Sequence, residues 1–185
     1  PDNWKTTSLA YTSAPLANDT MVYGPGSADL WVAATGGDAD IQVTVTELRP
    51  DEQETYVQRG WLRLSNRTLD TERSTPLLPI HLERADQLMP LLPGQPVFAR
   101  VEINKMGHYF RKGSRLRIWI DTPSQTGGLV FDTFTQKQRV HVLHNAKYDS
   151  LVRLGVLNDV KGPPAYPECG KVMLQPCRPD PVAGP

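Results

Sequence analysis

Four histidines, two cysteines, two carboxylate pairs and one glycine-flanked serine are the residues whose types and spacing could support chemistry here. None of them completes a catalytic pattern. A serine nucleophile of the α/β-hydrolase kind needs Gly-x-Ser-x-Gly on a strand-to-helix turn. Ser27 comes nearest, in Gly24-Pro25-Gly26-Ser27-Ala28, but Pro25 and Asp29 occupy the two glycine places. That segment therefore reads as the start of a strand. Cys169 and Cys177 lie far in sequence from every His, so a Cys-His pair is not indicated. Gly36-Gly37 and Gly127-Gly128 lack the remainder of any phosphate-loop pattern.

Metal binding fares no better. His141 and His144 sit three apart in a stretch that Val140, Val142 and Leu143 mark as a strand, where odd spacing puts them on opposite faces. His81 and His108 read as ordinary polar or partly buried histidines. Asp38/Asp40 and Asp51/Glu52 flank turns, where Asp serves its own backbone, although a structural Ca²⁺ at such loops is an alternative. No cofactor is expected.

The elements that would position these residues are strands. Period-two alternation runs through Ile41–Thr46, Leu62–Ser65, Val97–Ile103, Arg115–Asp121 and Val152–Val156. Ala28–Ala34 is more uniformly apolar, as a strand covered on both faces would be. Gly36-Gly37-Asp38, Pro50-Asp51-Glu52, Pro93-Gly94-Gln95-Pro96, Gly113 and Gly127-Gly128 punctuate the series. The best helical stretch, Arg84–Met89, is short and stops at Pro90. With 17 Pro and 14 Gly in 185 residues, short strands and long connections are favoured over helices. The expected fold is an all-β jelly-roll sandwich over residues 1–157.

Residues 158–185 differ. They hold seven prolines, little periodicity and both cysteines. A tail of this kind lies on a surface or hangs free. Its cysteines are eight apart, and a disulfide loop is favoured over two free thiols because a tail offers little core for a thiol. A disulfide implies an oxidising compartment, hence export.

Acidic and basic residues balance at 20 each, which argues against a nucleic-acid partner. The cluster Arg111, Lys112, Arg115 and Arg117 reads as a solvated face. No apolar run approaches the roughly 20 residues of a membrane span. The chain opens at Pro1-Asp2-Asn3-Trp4 without a signal sequence, which reads as a trimmed, processed or partial polypeptide. Of the tryptophans, Trp61 and Trp119 are candidates for contact with a neighbouring domain. Trp119 points away from the Leu116-Ile118-Ile120 face, and outward aromatics mark contact surfaces. Sugar stacking, as in a carbohydrate-binding module, is the alternative reading.

Four stretches, in order, resemble the C-terminal domain of the X-Pro dipeptidyl-peptidase and cocaine-esterase-like (CocE/NonD) hydrolases. The first is Leu9-Ala10-Tyr11-Thr12-Ser13-Ala14-Pro15-Leu16 with Thr20-Met21-Val22-Tyr23-Gly24-Pro25. The second is Asp40 to Asp51, ending Arg49-Pro50-Asp51. The third is Gly60-Trp61-Leu62-Arg63-Leu64-Ser65-Asn66-Arg67, and the fourth Phe110-Arg111-Lys112-Gly113-Ser114-Arg115-Leu116-Arg117-Ile118. Asn66 and Ser114 depart from the family, which often has His at both. The resemblance spans about Thr7 to Leu157. It implies a galactose-binding-like jelly roll with no catalytic residue of its own. It also implies an upstream α/β-hydrolase domain carrying a Ser-Asp-His triad, a parent that cleaves ester, amide or X-Pro bonds, and a role for this domain in shaping the substrate pocket or a homo-oligomer.

Overall fold

The computed structural model describes residues 7–123, 138–163 and 165–182. Trp4 and the Gly127-Gly128 turn lie outside them. Among the described residues, nine strands form two antiparallel sheets: β1 Leu9–Thr12, β2 Thr20–Ala34, β3 Asp40–Leu48, β4 Gln53–Arg63, β5 Val97–Phe110, β6 Arg115–Asp121, β7 Val140–Leu143, β8 Leu151–Leu157 and β9 Cys177–Pro179. One sheet runs β1-β6-β3-β4-β9. In the other, β2 pairs with β5 on one edge and with β8 and then β7 on the other. The protein is an all-β sandwich.

The alternation in the sequence becomes the core. Ile41, Val43 and Val45 of β3, Leu62 of β4 and Ile118 and Ile120 of β6 point inward from the first sheet. They meet Ala28, Leu30 and Val32 of β2 and Ala99, Val101 and Ile103 of β5. Each of these side chains leaves water, a gain of roughly 1.5–3 kcal/mol for a Val, Leu or Ile. The apolar run in β2 is covered on both faces, as its composition suggests. Its outward Asp29 is buried between Arg100 of β5 and Arg153 of β8. Burial opposes the Asp29 charge, and the two guanidiniums outweigh it, so its carboxyl sits below the ordinary value.

Three local expectations change. Strand β4 stops at Arg63, and Leu64–Asn66 forms a 3-10 turn. The Leu64 N–H bonds Ala39 and the Ser65 N–H bonds the Asp38 carboxylate, which pull the chain off the strand path. Val156, expected inward with Val152 and Leu154, is exposed near the end of β8. Arg84–Met89 contains only a single 3-10 turn, Ala85–Gln87.

The sheets touch most closely where β4 crosses β5. A Cβ on Gly60 would lie 1.6 Å from the Glu102 carbonyl oxygen, so only glycine fits. We predict that Gly60→Ala destabilises the protein by about 3 kcal/mol in urea melts. A change under about 0.5 kcal/mol would contradict the close crossing.

Candidate docking face and its charge network

Strand alternation puts polar residues on the outer face of the five-stranded sheet. Register sets Thr46 of β3 between Tyr56 of β4 and Arg117 of β6, Thr44 between Arg59 and Trp119, and Gln42 between Trp61 and Asp121. The tail, returning as β9, pairs antiparallel with Gln53–Thr55 at the β4 edge.

A buried charge network forms where β9 meets the sheet. Glu54 is 2% exposed and Arg117 3%. Glu54 Oε1 accepts from Trp119 Nε1 (2.6 Å), Thr46 Oγ1 (2.8 Å) and Arg117 Nη1 (3.4 Å). Its Oε2 accepts from Arg178 Nε (3.0 Å) and Nη2 (2.9 Å). Arg117 also donates to Asp180 at 2.6 and 3.1 Å and to Thr12 at 2.8 Å. Burial disfavours the Arg117 charge, but the Asp180 bond and the Glu54 and Asp180 charges outweigh it and raise its pKa.

Arg117 therefore corrects the solvated-face reading of the basic cluster. Arg111 departs from it too, because its guanidinium lies 4.4 Å from the Tyr166 ring and Arg49 lies 4.5 Å from the same ring. Cation–π contact of this kind pins the tail.

A second network links the tail to β3 and β5. Glu47, buried, accepts from Ser114 Oγ (2.6 Å) and bonds His108 Nε2 (2.8 Å). Ser114 Oγ also meets the Tyr166 hydroxyl at 2.6 Å. The Gln175 amide donates to His108 Nδ1 (3.1 Å), which leaves the Nε2–H to donate to Glu47. Serine, carboxylate and histidine are thus joined in the wrong order for catalysis. In a working triad the imidazole lies between hydroxyl and carboxylate. Here the carboxylate lies between the other two, and Ser114 is fully buried.

The remaining candidates are scattered. Ser27 is buried in β2 and donates to the Pro76 carbonyl at 2.6 Å. Asp38 serves the Ala39 and Ser65 N–H groups, and Asp40 pairs with Arg63. Asp51 pairs with Arg49. His141 and His144 are exposed, and His144 meets Tyr11 edge-on. Among the described residues, no three His, Cys, Asp or Glu side chains gather as a metal site. Cys169 and Cys177 form the disulfide, with Cα atoms 5.3 Å apart.

Trp119 does point outward from the core, yet it is only 5% exposed. Glu54 takes its N–H, and Arg117 and Arg178 flank its ring at 5.7 and 5.6 Å. The chain's own tail covers it, which leaves no open ring there for sugar stacking. Trp61 is half-buried; it donates to Gln42 at 2.8 Å and carries Arg59 at 5.0 Å from its ring.

Beside Trp119 a cleft of about 310 Å³ is lined by Thr44, Tyr56, Arg59, Asp121 and Arg178. Burial pushes the Asp121 carboxyl up to about 6, against a bond from Ser8 and the charges of Arg178 and Arg59. Its Oδ1 is buried and has no hydrogen-bond partner among the described residues.

This is the outer sheet of a β-sandwich, and among the described residues no catalytic triad is assembled on it. The family model described as the X-Pro dipeptidyl-peptidase C-terminal non-catalytic domain matches residues 1–153. The chain belongs to that family. Solved structures share the fold. A CocE/NonD family hydrolase from Staphylococcus aureus matches with a TM-score of 0.72 and 22% identity, covering 84% of this chain and 32% of that one. An aminopeptidase from a marine sediment Thaumarchaeota archaeon matches at 0.61 and 18% identity, covering 82% and 26%. An α-amino acid ester hydrolase matches at 0.59 and 20%, covering 82% and 26%. The chain thus spans about a third or less of these structures' length. No curated protein sequence matches it. No helix among the described residues is long and apolar enough to cross a membrane.

Asp121 supplies the test of this face. The folded state holds its proton up to about pH 6, whereas the ordinary value is 3.8. The native state therefore binds more protons across that window, and stability falls as pH rises through it. Asp121→Asn removes that loss. Its stability relative to the parent chain is expected to be higher at pH 7 than at pH 4 in denaturant melts. An identical difference at both pH values would contradict the burial of this carboxyl.

Proposed function

We propose that this chain is the C-terminal accessory domain of a larger serine hydrolase of the X-Pro dipeptidyl-peptidase or acyl-ester hydrolase type. It packs on an upstream α/β-hydrolase domain that holds the Ser-Asp-His triad, and it helps to shape the substrate pocket or the oligomer. The carrying observation is the family match over residues 1–153, to a domain described as non-catalytic. The three solved relatives are all enzymes, and each extends well beyond the part this chain covers. Trp61, half-buried on the outer sheet, is a contact to the catalytic domain in this reading. The galactose-binding-like jelly roll is the fold type we assign to the sandwich. The Cys169–Cys177 bond fits an exported protein.

The pure 185-residue chain is expected to turn over neither p-nitrophenyl esters nor X-Pro p-nitroanilides. Turnover proportional to chain concentration, retained through successive purification steps, would overturn the non-catalytic assignment.

A further inference from the structure

Buried carboxylates in this chain are closed by guanidiniums that touch them. Asp29 is held by Arg100 and Arg153, and Glu54 by Arg117 and Arg178. Asp121 breaks that rule. It lines the cleft beside Trp119, which crosses the outer face of the five-stranded sheet from Ser8, ahead of β1, to Pro176 and Arg178 of the tail. Ser8 gives the Asp121 carboxyl one hydrogen bond, and Arg59 and Arg178 act on it only through their charges. Its Oδ1 has no partner among the described residues. Asp121 stands on β6, on one side of β3. Arg59 on β4 and Arg178 on β9 stand on the other. Arg178 spends Nε and Nη2 on Glu54 and keeps Nη1, on a side chain that is 57% exposed. Arg59 is held flat by the rings of Trp61 and Tyr56, 5.0 and 6.0 Å from their centroids. A desolvated carboxyl in a cleft, facing cations that do not close on it, is a half-made binding site.

The charges select the occupant. A simple anion would meet Arg59 and Arg178 but be repelled by ionised Asp121. A simple cation would meet Asp121 but be repelled by both guanidiniums. A molecule that carries both charges satisfies all three groups. We propose that the cleft binds a small zwitterion, whose ammonium donates to the Asp121 carboxyl and whose carboxylate is held by Arg59 and Arg178. The volume of about 310 Å³ is at the small end for a ligand pocket, which suits a molecule of amino-acid size. The Trp119 ring is only 5% exposed, so recognition rests on charge and hydrogen bonds rather than on stacking. Thr44 accepts from the Gln42 amide at 3.0 Å and keeps its own hydroxyl proton for the ligand. The tail wall of the cleft lies beyond residue 153, where the family match ends, so the complete site belongs to this chain rather than to the shared domain. Other charged and titratable groups near Asp121 are Asp40, Arg139 and His141, which line the adjoining cavity, with Asp40 paired to Arg63. The inference does not depend on the parent hydrolase.

Titration of the isotope-labelled 185-residue chain with glycine, β-alanine and γ-aminobutyrate, followed by NMR shifts of backbone and indole N–H groups, tests it. At least one of the three is expected to saturate shifts at Thr44, Arg59 and Trp119, with a Kd of roughly 1–10 mM at pH 7. Three controls should each bind at least about tenfold more weakly: ethylamine, acetate, and the N-trimethyl form of the tightest binder, which keeps both charges but has no N–H to donate. The ligand's own groups hold their charges between about pH 5 and pH 7. Affinity should therefore rise about tenfold across that window as Asp121, with its carboxyl at about 6, ionises. Asp121→Asn should weaken binding at least about tenfold at pH 7 and remove this pH dependence, which a contribution from His141 would leave in place. Its melting temperature at pH 7 should not fall below the parent's. No saturable shift up to about 100 mM, an Asp121→Asn variant that binds as tightly as the parent, or acetate or ethylamine matching the best zwitterion would overturn the proposal.

Discussion

The Glu54–Arg117 pair is the constraint on which the outer half of the molecule depends. Two opposite charges, on the strands β4 and β6 that flank β3, are buried at 2% and 3% exposure. Desolvation of this kind costs several kcal/mol per ion, and their mutual attraction does not by itself recover it. The cost is offset only because every remaining valence is filled. Trp119, Thr46 and Arg178 complete Glu54, and Asp180 and Thr12 complete Arg117. Two of those partners come from the tail. A Pro-rich segment with almost no apolar core of its own is thereby made an integral strand of the sheet. Its order derives from charge satisfaction more than from hydrophobic burial.

The same economy accounts for the absence of chemistry. The buried Ser114, Glu47 and His108 hold each other, and both tail residues that touch them, Tyr166 and Gln175, use up the free valences of the serine and the imidazole. A hydroxyl whose proton goes to a carboxylate cannot be activated by the histidine on the far side of that carboxylate. These residues fix the tail to β3, β5 and the turn that leads into β6. The enzyme-like residue types serve the architecture, in keeping with a family described as non-catalytic.

The core was legible because it obeys a two-residue period. Ile41, Val43, Val45, Ala99, Val101, Ile103, Ile118 and Ile120 alternate with polar residues and all face inward. The first half of β4 was not legible. Gln53 to Arg59 places polar or charged residues on the outer face, where Glu54 is buried in ion pairs. Apolar periodicity carries no record of a strand whose buried face is charged. Strand β9 escaped for a related reason, since three residues around Arg178 show no pattern until Glu54 is set opposite. Trp119 was read correctly as outward. What covers it could not be read, because Arg178 and Asp180 lie some sixty residues away in sequence. The disulfide was legible from spacing and context alone, whereas the cleft beside Trp119 required the burial of each neighbour to be known.

The claim that the tail is locked to the sheet by charge satisfaction rests most directly on the Arg117–Asp180 contact. A double-mutant cycle in denaturant, with Arg117→Met, Asp180→Asn and the pair together, measures it. Coupling of about 2 kcal/mol is the predicted result, with the double variant less destabilised than the sum of the singles. Additivity to within about 0.5 kcal/mol would contradict it and would leave the order of the tail to its other contacts, the β9–β4 backbone pairing among them.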